Sequence, residues 1–251
     1  MKERDRVSFP TDYDQYAPTY AWTRTAVPWV VEPLWRTTSC RPRDTAVLEV
    51  GCGTGNYIHA LAERRQDLRY FGFDLSGPML VQARRRPSAI QFIQGDASRS
   101  LPFTERSFGL VFAVDVVHHL ADLFRFFEEA HRVLTRDGSL VIVTDSEATF
   151  RRRSLSQFFP EILPIELSRY PAVSAMHAAA TQAGLRLESH REVEGEIPID
   201  RDLLSRLEAK CSSAMRLLKP EAFAVGMDRV RAAGARDEPW LSCYDVFLYV
   251  A

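Results

Sequence analysis

The stretch Val47-Leu48-Glu49-Val50-Gly51-Cys52-Gly53-Thr54-Gly55-Asn56 constrains this chain more than any other. A short apolar run ends across a glutamate and breaks into glycines at every second position, and a segment of helical pattern, Tyr57 to Gln66, follows at once. That order predicts a strand, a tight turn and a helix start, the place where an α/β protein brings backbone N–H groups close to a ligand. A dinucleotide fingerprint, Gly-x-Gly-x-x-Gly, needs its third glycine where this chain has Asn56. A P-loop needs Gly-Lys-Ser/Thr, which does not follow. Glu49 beside the loop would repel a pyrophosphate and attract an ammonium. The loop therefore suits a small cationic ligand with an amino-acid end.

From residue 45 the alternation is regular: strand 46–50, helix 57–66, strand 69–73, helix 77–86, strand 90–93, strand 108–114, helix 121–134, a turn at Asp137-Gly138 and strand 139–144. This rhythm predicts a parallel sheet with helices on both faces. Phe108 to Val114 and Leu140 to Val143 are apolar throughout, as buried central strands should be. Ligands bind at the carboxyl ends of such strands. Asp74 ends the second strand, where its carboxylate can accept from ribose hydroxyls or cap the next helix. The third strand runs into Gly95-Asp96-Ala97, and the fourth into Asp115-Val116-Val117-His118-His119-Leu120.

Glu-x-Gly-x-Gly-x-Gly after an apolar strand resembles motif I of the class I S-adenosylmethionine (SAM)-dependent methyltransferases. The following segments resemble the UbiE/type 11 methyltransferase-domain group, over about Thr45 to Thr144. The resemblance implies an α/β, Rossmann-like seven-stranded sheet of order 3-2-1-4-5-7-6, its last strand antiparallel, with helices on both faces and a small helical cap. It implies SAM as cofactor and S-adenosylhomocysteine (SAH) as product. It assigns Gly51, Cys52, Gly53 and Gly55 to the cofactor loop, with Glu49 near the methionine ammonium through water or the loop backbone. Asp74 would hold the ribose, and Leu75 and Met79 would pack on the adenine. Asp96 would accept the adenine amine, the Ala97 N–H would meet a ring nitrogen, and the backbone of Asp115 and Val116 would border the methionine. Asp12 to Ala17 resembles a Tyr-Asp-x-x-Ala entry segment that folds over the cofactor, which brings Tyr16 to the site; the alternative is a helix docking its aromatic face on the core. Glu129 and Arg132 match a Glu-x-x-Arg-Val-Leu helix with a structural ion pair. Where the group continues Lys-Pro-Gly-Gly, this chain has Thr135-Arg136-Asp137-Gly138.

Residues 1–251 are expected to form one methyltransferase domain: an aromatic helical cap at 7–44, a SAM-binding core at 45–144, a lid or substrate insertion at 145–171 and the C-terminal half of the sheet at 172–251. Prolines 10, 18, 28 and 33 predict two or three short helices in the first part. In the last, a helix at 172–183, a strand at 185–193, a helix at 200–234 interrupted by Pro220 and a strand at 240–250 are expected. A formal charge of −1 gives no global basic footprint for nucleic acid. The runs Arg84–Arg86 and Arg151–Arg153 are read as solvated faces, the second opening the region where substrate elements belong. The four scattered cysteines suggest neither a zinc site nor a disulfide framework, and a reducing cytoplasm is the expected compartment. Met1 to Arg6 lacks a secretory apolar core, and no apolar run is long enough to span a membrane.

Methyl transfer is an in-line displacement on an activated sulfonium, so positioning supplies much of the rate. A base is needed only if the acceptor starts protonated. The candidates are His118, His119 and Asp115; His119 occupies the position the family most often fills, and His118 is the better candidate to face substrate. A metal on Asp115, His118 and His119 lacks a further ligand, so none is expected. The expected function is methyl transfer to a small apolar or aromatic acceptor at O, N or C, in a closed hydrophobic pocket of a monomer or homodimer. The alternatives are a tRNA or rRNA methyltransferase and a non-catalytic SAM/SAH-binding regulator or scaffold.

Overall fold

A computed structural model describes residues 13–251; Asp12 and the start of the expected N-terminal cap lie outside the described residues. Helices α1 (Tyr13–Thr23) and α2 (Pro28–Ser39) come first. Pro28 occupies the first turn of α2, where its missing N–H costs nothing, while Pro18 and Pro33 lie inside the two helices without ending them. The prolines expected to break this region thus leave two helices of 11 and 12 residues.

Strand β1 (Ala46–Val50) leads to α3 (Asn56–Arg64), β2 (Arg69–Asp74) to α4 (Gly77–Ala83), then β3 (Gln91–Gln94). β4 (Phe108–Val114) leads through a 3-10 turn, Val117–His119, to α5 (Leu123–Val133) and β5 (Leu134–Thr144). Side-chain caps start α4 and α5: Ser76 accepts from the Met79 amide, and Asp122 from that of Arg125. The expected turn at Asp137-Gly138 is an irregularity within β5. Phe108 pairs with Leu134 but Leu110 with Ser139, so residues 135–138 bulge out of register. Arg41 pins the bulge, donating to the Asp137 carbonyl at 2.9 Å and the Ser139 hydroxyl at 2.7 Å.

After β5 come α6 (Glu147–Arg152), α7 (Ser154–Phe158), α8 (Ile162–Arg169), α9 (Val173–Gln182), β6 (Arg186–Pro198), α10 (Arg201–Glu208), α11 (Pro220–Gly234) and β7 (Pro239–Val250). The sheet order is β3-β2-β1-β4-β5-β7-β6, parallel except that β7 runs antiparallel to β5 and β6. Seven strands in this order are what the sequence leads one to expect.

All seven residues of β4 are buried, because helices cover both faces. One core joins Leu48, Val111 and Ile142 to Phe126 and Phe127 of α5 and Met176 of α9. The opposite core joins Val47, Leu110 and Phe112 to Leu34 of α2 and Ile58 and Leu61 of α3. A third apolar cluster lies above the strand ends, where Leu155, Phe159 and Ile162 pack with Leu203, Leu207, Met227 and Val230. The insertion after β5 and the helices between β6 and β7 therefore share one core. The long helix expected at 200–234 is α10, a 3-10 turn and α11, because Pro220 starts α11 afresh.

Glu129 ties α5 to the loop before β4. It accepts from the Leu101 amide at 2.8 Å and pairs with Arg132 at 2.7 Å. The Arg132 guanidinium holds its carboxyl below the usual carboxylate range. A carboxylate with a lowered folded pKa stabilises above its ordinary range, and that stability is lost as pH falls through the lowered value. Glu129→Ala should cost about 2 kcal/mol, the range for a charged hydrogen-bonded group, measured as a lower urea midpoint at pH 7. The gap between variant and wild type should narrow toward pH 3.

Candidate active site

The loop after β1 is latched to the end of β2. The amides of Gly51 and Cys52 donate to the Phe73 carbonyl at 2.7 and 3.1 Å, and the Gly53 amide to Asp74 Oδ2 at 2.7 Å. Gly51 has φ of +69°, and a Cβ there would lie 2.3 Å from Val116 Cγ2, so the position admits only glycine. Over Gly53, by contrast, a Cβ would meet nothing nearer than a Tyr20 ring carbon at 3.9 Å. That open space lets a ligand approach the backbone.

A cavity of about 640 Å³ opens at this point, between the ends of β1 and β4 where the sheet order reverses. Gly51, Gly53, Asp74, Leu75 and Met79 line it, as do Asp96, Ala97, Asp115, Val116, His118 and His119. Asp74 Oδ1 accepts from the Ser76 amide at 2.8 Å, so both carboxylate oxygens brace the loops while each keeps lone pairs for a further donor. Burial pushes the Asp74 carboxyl up. Asp96 closes an Asp turn onto the Ser98 amide at 2.9 Å and also lines the cavity, so the two readings of that residue coexist.

Four expected cofactor residues lie elsewhere. Glu49 is 2 % exposed and accepts from the Ile58 amide at 3.0 Å. It satisfies an orphan donor in the first turn of α3, behind the loop instead of on the cavity wall, and burial pushes its carboxyl well up. Cys52 turns under the sheet, where its sulfur would stand 2.9 Å from a Cβ at Gly72. Gly55 opens α3 in the left-handed region, outside the cavity lining. Tyr16 lies under the Arg216 guanidinium, 3.5 Å from ring centroid to carbon. Tyr13 and Tyr20 line the cavity in its place, because residues seven apart share one helix face.

Asp115 turns the chain out of β4 at φ of +55°, and its Oδ1 is buried without a hydrogen-bond partner. Burial pushes its carboxyl up, against the pull of Arg24 and Arg153. His119 Nε2 and the Tyr13 hydroxyl share a hydrogen bond of 2.8 Å. His118 stacks on Tyr170 at 4.0 Å, and its Nδ1 is buried and unpartnered. Burial, then the neighbouring His119, pushes the His118 imidazole well below its usual range. Among the described residues no group of three or more His, Cys, Asp or Glu is placed to hold a metal ion.

A second chamber, of about 290 Å³, shares Tyr13, Tyr20, Val114, Asp115 and His118 with the first. Its remaining wall comes from the segment between α1 and α2, from the cap helices and from β7: Arg24, Arg153, Glu166, Tyr170, Arg206, Arg216 and Tyr244 among others. This lining mixes charged and aromatic residues with apolar ones, so the chamber is in part the hydrophobic pocket expected. Leu155, Leu203, Leu207 and Trp240 belong both to the cap core and to this wall, where arginines and tyrosines join them. Within Arg151–Arg153, Arg151 pairs with Glu147 and Arg152 with Glu192 and Glu194, while Arg153 turns inward to Asp145 at 2.7 Å and Glu166 at 3.6 Å. Arg24, Arg169, Arg206 and Arg216 reach the two cavities from isolated positions that no motif singles out.

Burial and then the charge of Arg169 push the His119 imidazole down to about 4. A histidine with a lowered folded pKa loses native stability as pH falls below its unfolded value of about 6.5. His119→Asn should therefore lose less Tm than wild type between pH 6.5 and pH 4.5. An equal loss in both proteins would contradict a neutral His119.

Residues 48–142 match the family described as a methyltransferase domain. A demethylmenaquinone methyltransferase of Chlorobaculum tepidum is 30 % identical over 151 residues, covering 57 % of this chain and 62 % of the relative. A malonyl-[acyl-carrier protein] O-methyltransferase of Legionella pneumophila is 33 % identical over 108 residues, covering 42 % of this chain and 38 % of the relative. The chain thus spans less than two thirds of the length of these curated relatives. A crystal structure from Anabaena variabilis, described as a methyltransferase from an antibiotic biosynthesis pathway, superposes with a TM-score of 0.71 at 21 % identity, over 92 % of this chain and 99 % of that one. Residues 48–142 thus match a methyltransferase domain, and the sheet order and glycine loop around it support a class I SAM-dependent methyltransferase.

Proposed function

We propose that this protein transfers a methyl group from SAM to a small-molecule acceptor, with the donor in the 640 Å³ cavity and the acceptor in the adjoining 290 Å³ chamber. The observation that carries this reading is the shared wall of Tyr13, Tyr20, Val114, Asp115 and His118, where two bound molecules would meet. The donor cavity fits the cofactor. Gly53 leaves open backbone, and Asp74 offers carboxylate lone pairs at a strand end. Bound there, SAM supplies a methyl group already activated as a sulfonium. Asp96 and the Ala97 amide lie on the same wall, placed for the polar edge of a base.

The protein's own residues supply positioning and the exclusion of water. Helix α1 packs over the cavity, tied down where the Ser76 hydroxyl donates to Asp14 at 2.6 Å and Tyr13 meets His119. For an acceptor that must lose a proton, His118 is the candidate base. It faces both chambers, is kept neutral by burial, and has a free Nδ1. Binding to RNA is less well supported. Arg84 and Arg86 donate inward to the Phe92 carbonyl and to Asn56, which leaves fewer free cations for phosphate.

Titration calorimetry with SAH tests the donor reading. Wild type should bind, and Asp74→Ala and Gly51→Ala should each weaken binding at least tenfold, the first by removing an acceptor and the second by forcing the loop off Val116. No heat at millimolar SAH, or unchanged affinity in both variants, would sink it. Once an acceptor that requires deprotonation is in hand, His118→Gln should lower kcat by about 10²-fold or more with SAH affinity unchanged.

A further inference from the structure

The second chamber holds two guanidinium groups that form no ion pair with a carboxylate among the described residues. Arg24 follows α1, and its backbone is fixed at both ends: its N–H donates to the Tyr20 carbonyl at 3.0 Å and its carbonyl accepts from Asn56 at 3.0 Å. Its Nε donates to the Cys211 carbonyl at 3.0 Å. Arg216 lies against the Tyr16 ring, and its Nε donates to the Lys210 carbonyl at 3.1 Å. Consecutive carbonyls of one turn therefore hold both side chains by the same atom, with Lys210 at φ of +52° shaping that turn. The terminal nitrogens of both forks make no hydrogen bond to any described residue, and neither arginine forms an ion pair with one.

The other arginines on the walls of the two cavities are paired. Arg153 pairs with Asp145 and Glu166, Arg169 with Glu166, and Arg206 with Asp202 at 3.1 Å. Arg24 feels Asp115 only as a longer-range attraction, outside ion-pair distance. Burial and the like charge of Arg24 both act against the charge on Arg216. Two half-buried cations in one chamber are costly unless a negative group joins them, and a planar guanidinium fork presents its free donors to carboxylate or phosphate oxygens.

We infer that the methyl acceptor is a small organic anion whose carboxylate or phosphate head sits between Arg24 and Arg216. The inference rests on the donor and acceptor assignment above, and names the class of molecule that the acceptor chamber takes. A volume of about 290 Å³ lies at the small end of ligand pockets, so the body of the acceptor is short. Tyr57, Tyr170 and Tyr244 line its flanks. Asp115 and His118 stand on the wall shared with the donor cavity, toward which the nucleophile must point. A charged head held by the arginine pair and a reacting atom turned to that wall fix the orientation of the substrate.

The test is calorimetry on SAH-loaded protein with acetate, benzoate and inorganic phosphate as probes, set against acetamide and benzamide. At least one anion should bind saturably, with its neutral amide at least tenfold weaker where one exists. Arg24→Gln and Arg216→Gln should each weaken that anion at least tenfold, and Arg24→Lys should recover part of the loss. SAH affinity should stay unchanged throughout, which also reports that each variant folds. The proposal is overturned if no anion binds, if amides bind as well as anions, or if both glutamine variants bind like wild type. Failure of SAH itself to bind would count against the donor reading alone; the same anion and amide titrations on SAH-free protein then decide the arginine pair.

Discussion

Three backbone amides in the loop after β1 find their acceptors on β2: the Phe73 carbonyl takes two and the Asp74 carboxylate the third. Much of the donor cavity follows from this latch. It holds Gly51 and Gly53 in left-handed conformations, keeps Gly51 against Val116 and so fixes the distance between the β1 and β4 ends. It also sets the direction in which α3 leaves the sheet, a direction Glu49 secures from behind by accepting from the third residue of the helix. Glu49 and Asp74 thus divide one task. One carboxylate serves the helix start from the buried side, and the other serves the loop from the cavity side. Both carry the cost of burial as raised pKa values.

The donor half was legible in the sequence because its determinants are local. Glycine spacing, an acid at each strand end and apolar runs flanked by helices each fall within a few residues, and together they predict the sheet order and the lining at Gly51, Gly53, Asp74, Asp96 and Val116. Their precision stops at side-chain direction. Glu49 and Cys52 adjoin Gly53 in sequence, yet both are buried, Glu49 behind the loop where it accepts from the Ile58 amide. Tyr16 and Tyr13 are separated by three residues, enough to move Tyr16 off the cavity flank and onto Arg216. Spacing alone does not tell which tyrosine of a helix faces inward until its packing partner is known.

The acceptor half was illegible for a different reason. Its wall draws on Arg24, Asp115, Arg153, Glu166, Arg206, Arg216 and Tyr244, which come together only when the cap folds over the strand ends. Each is an ordinary surface-type residue in its own neighbourhood, and proline and phenylalanine content suggested an apolar enclosure instead. The apolar side chains do cluster, in the core shared by α7, α8, α10 and α11, and Leu155, Leu203, Leu207 and Trp240 of that core reach the chamber as well. The cap thereby stands as a folded layer whose face toward the chamber is mixed, polar through its arginines and tyrosines.

That polar face is coupled to the chemistry at its rim. Arg153 connects Asp145 to Glu166, Glu166 connects onward to Arg169, and Arg169 stands beside the histidine pair. Burying such a chain of charges is no cheap source of stability, since desolvation offsets most of the attraction between partners. Its effect is positional and electrostatic. It anchors α6, α7 and α8 to the end of β5, and its positive members add to burial in keeping His118 and His119 neutral. A neutral imidazole can accept a proton where a charged one cannot, and it does not repel a cationic donor. Arg153 on the wall of the second chamber and Arg169 on that of the first therefore add to burial in disfavouring charge on the histidines between them, so a change in cap charge would be felt in the larger cavity without touching the glycine loop.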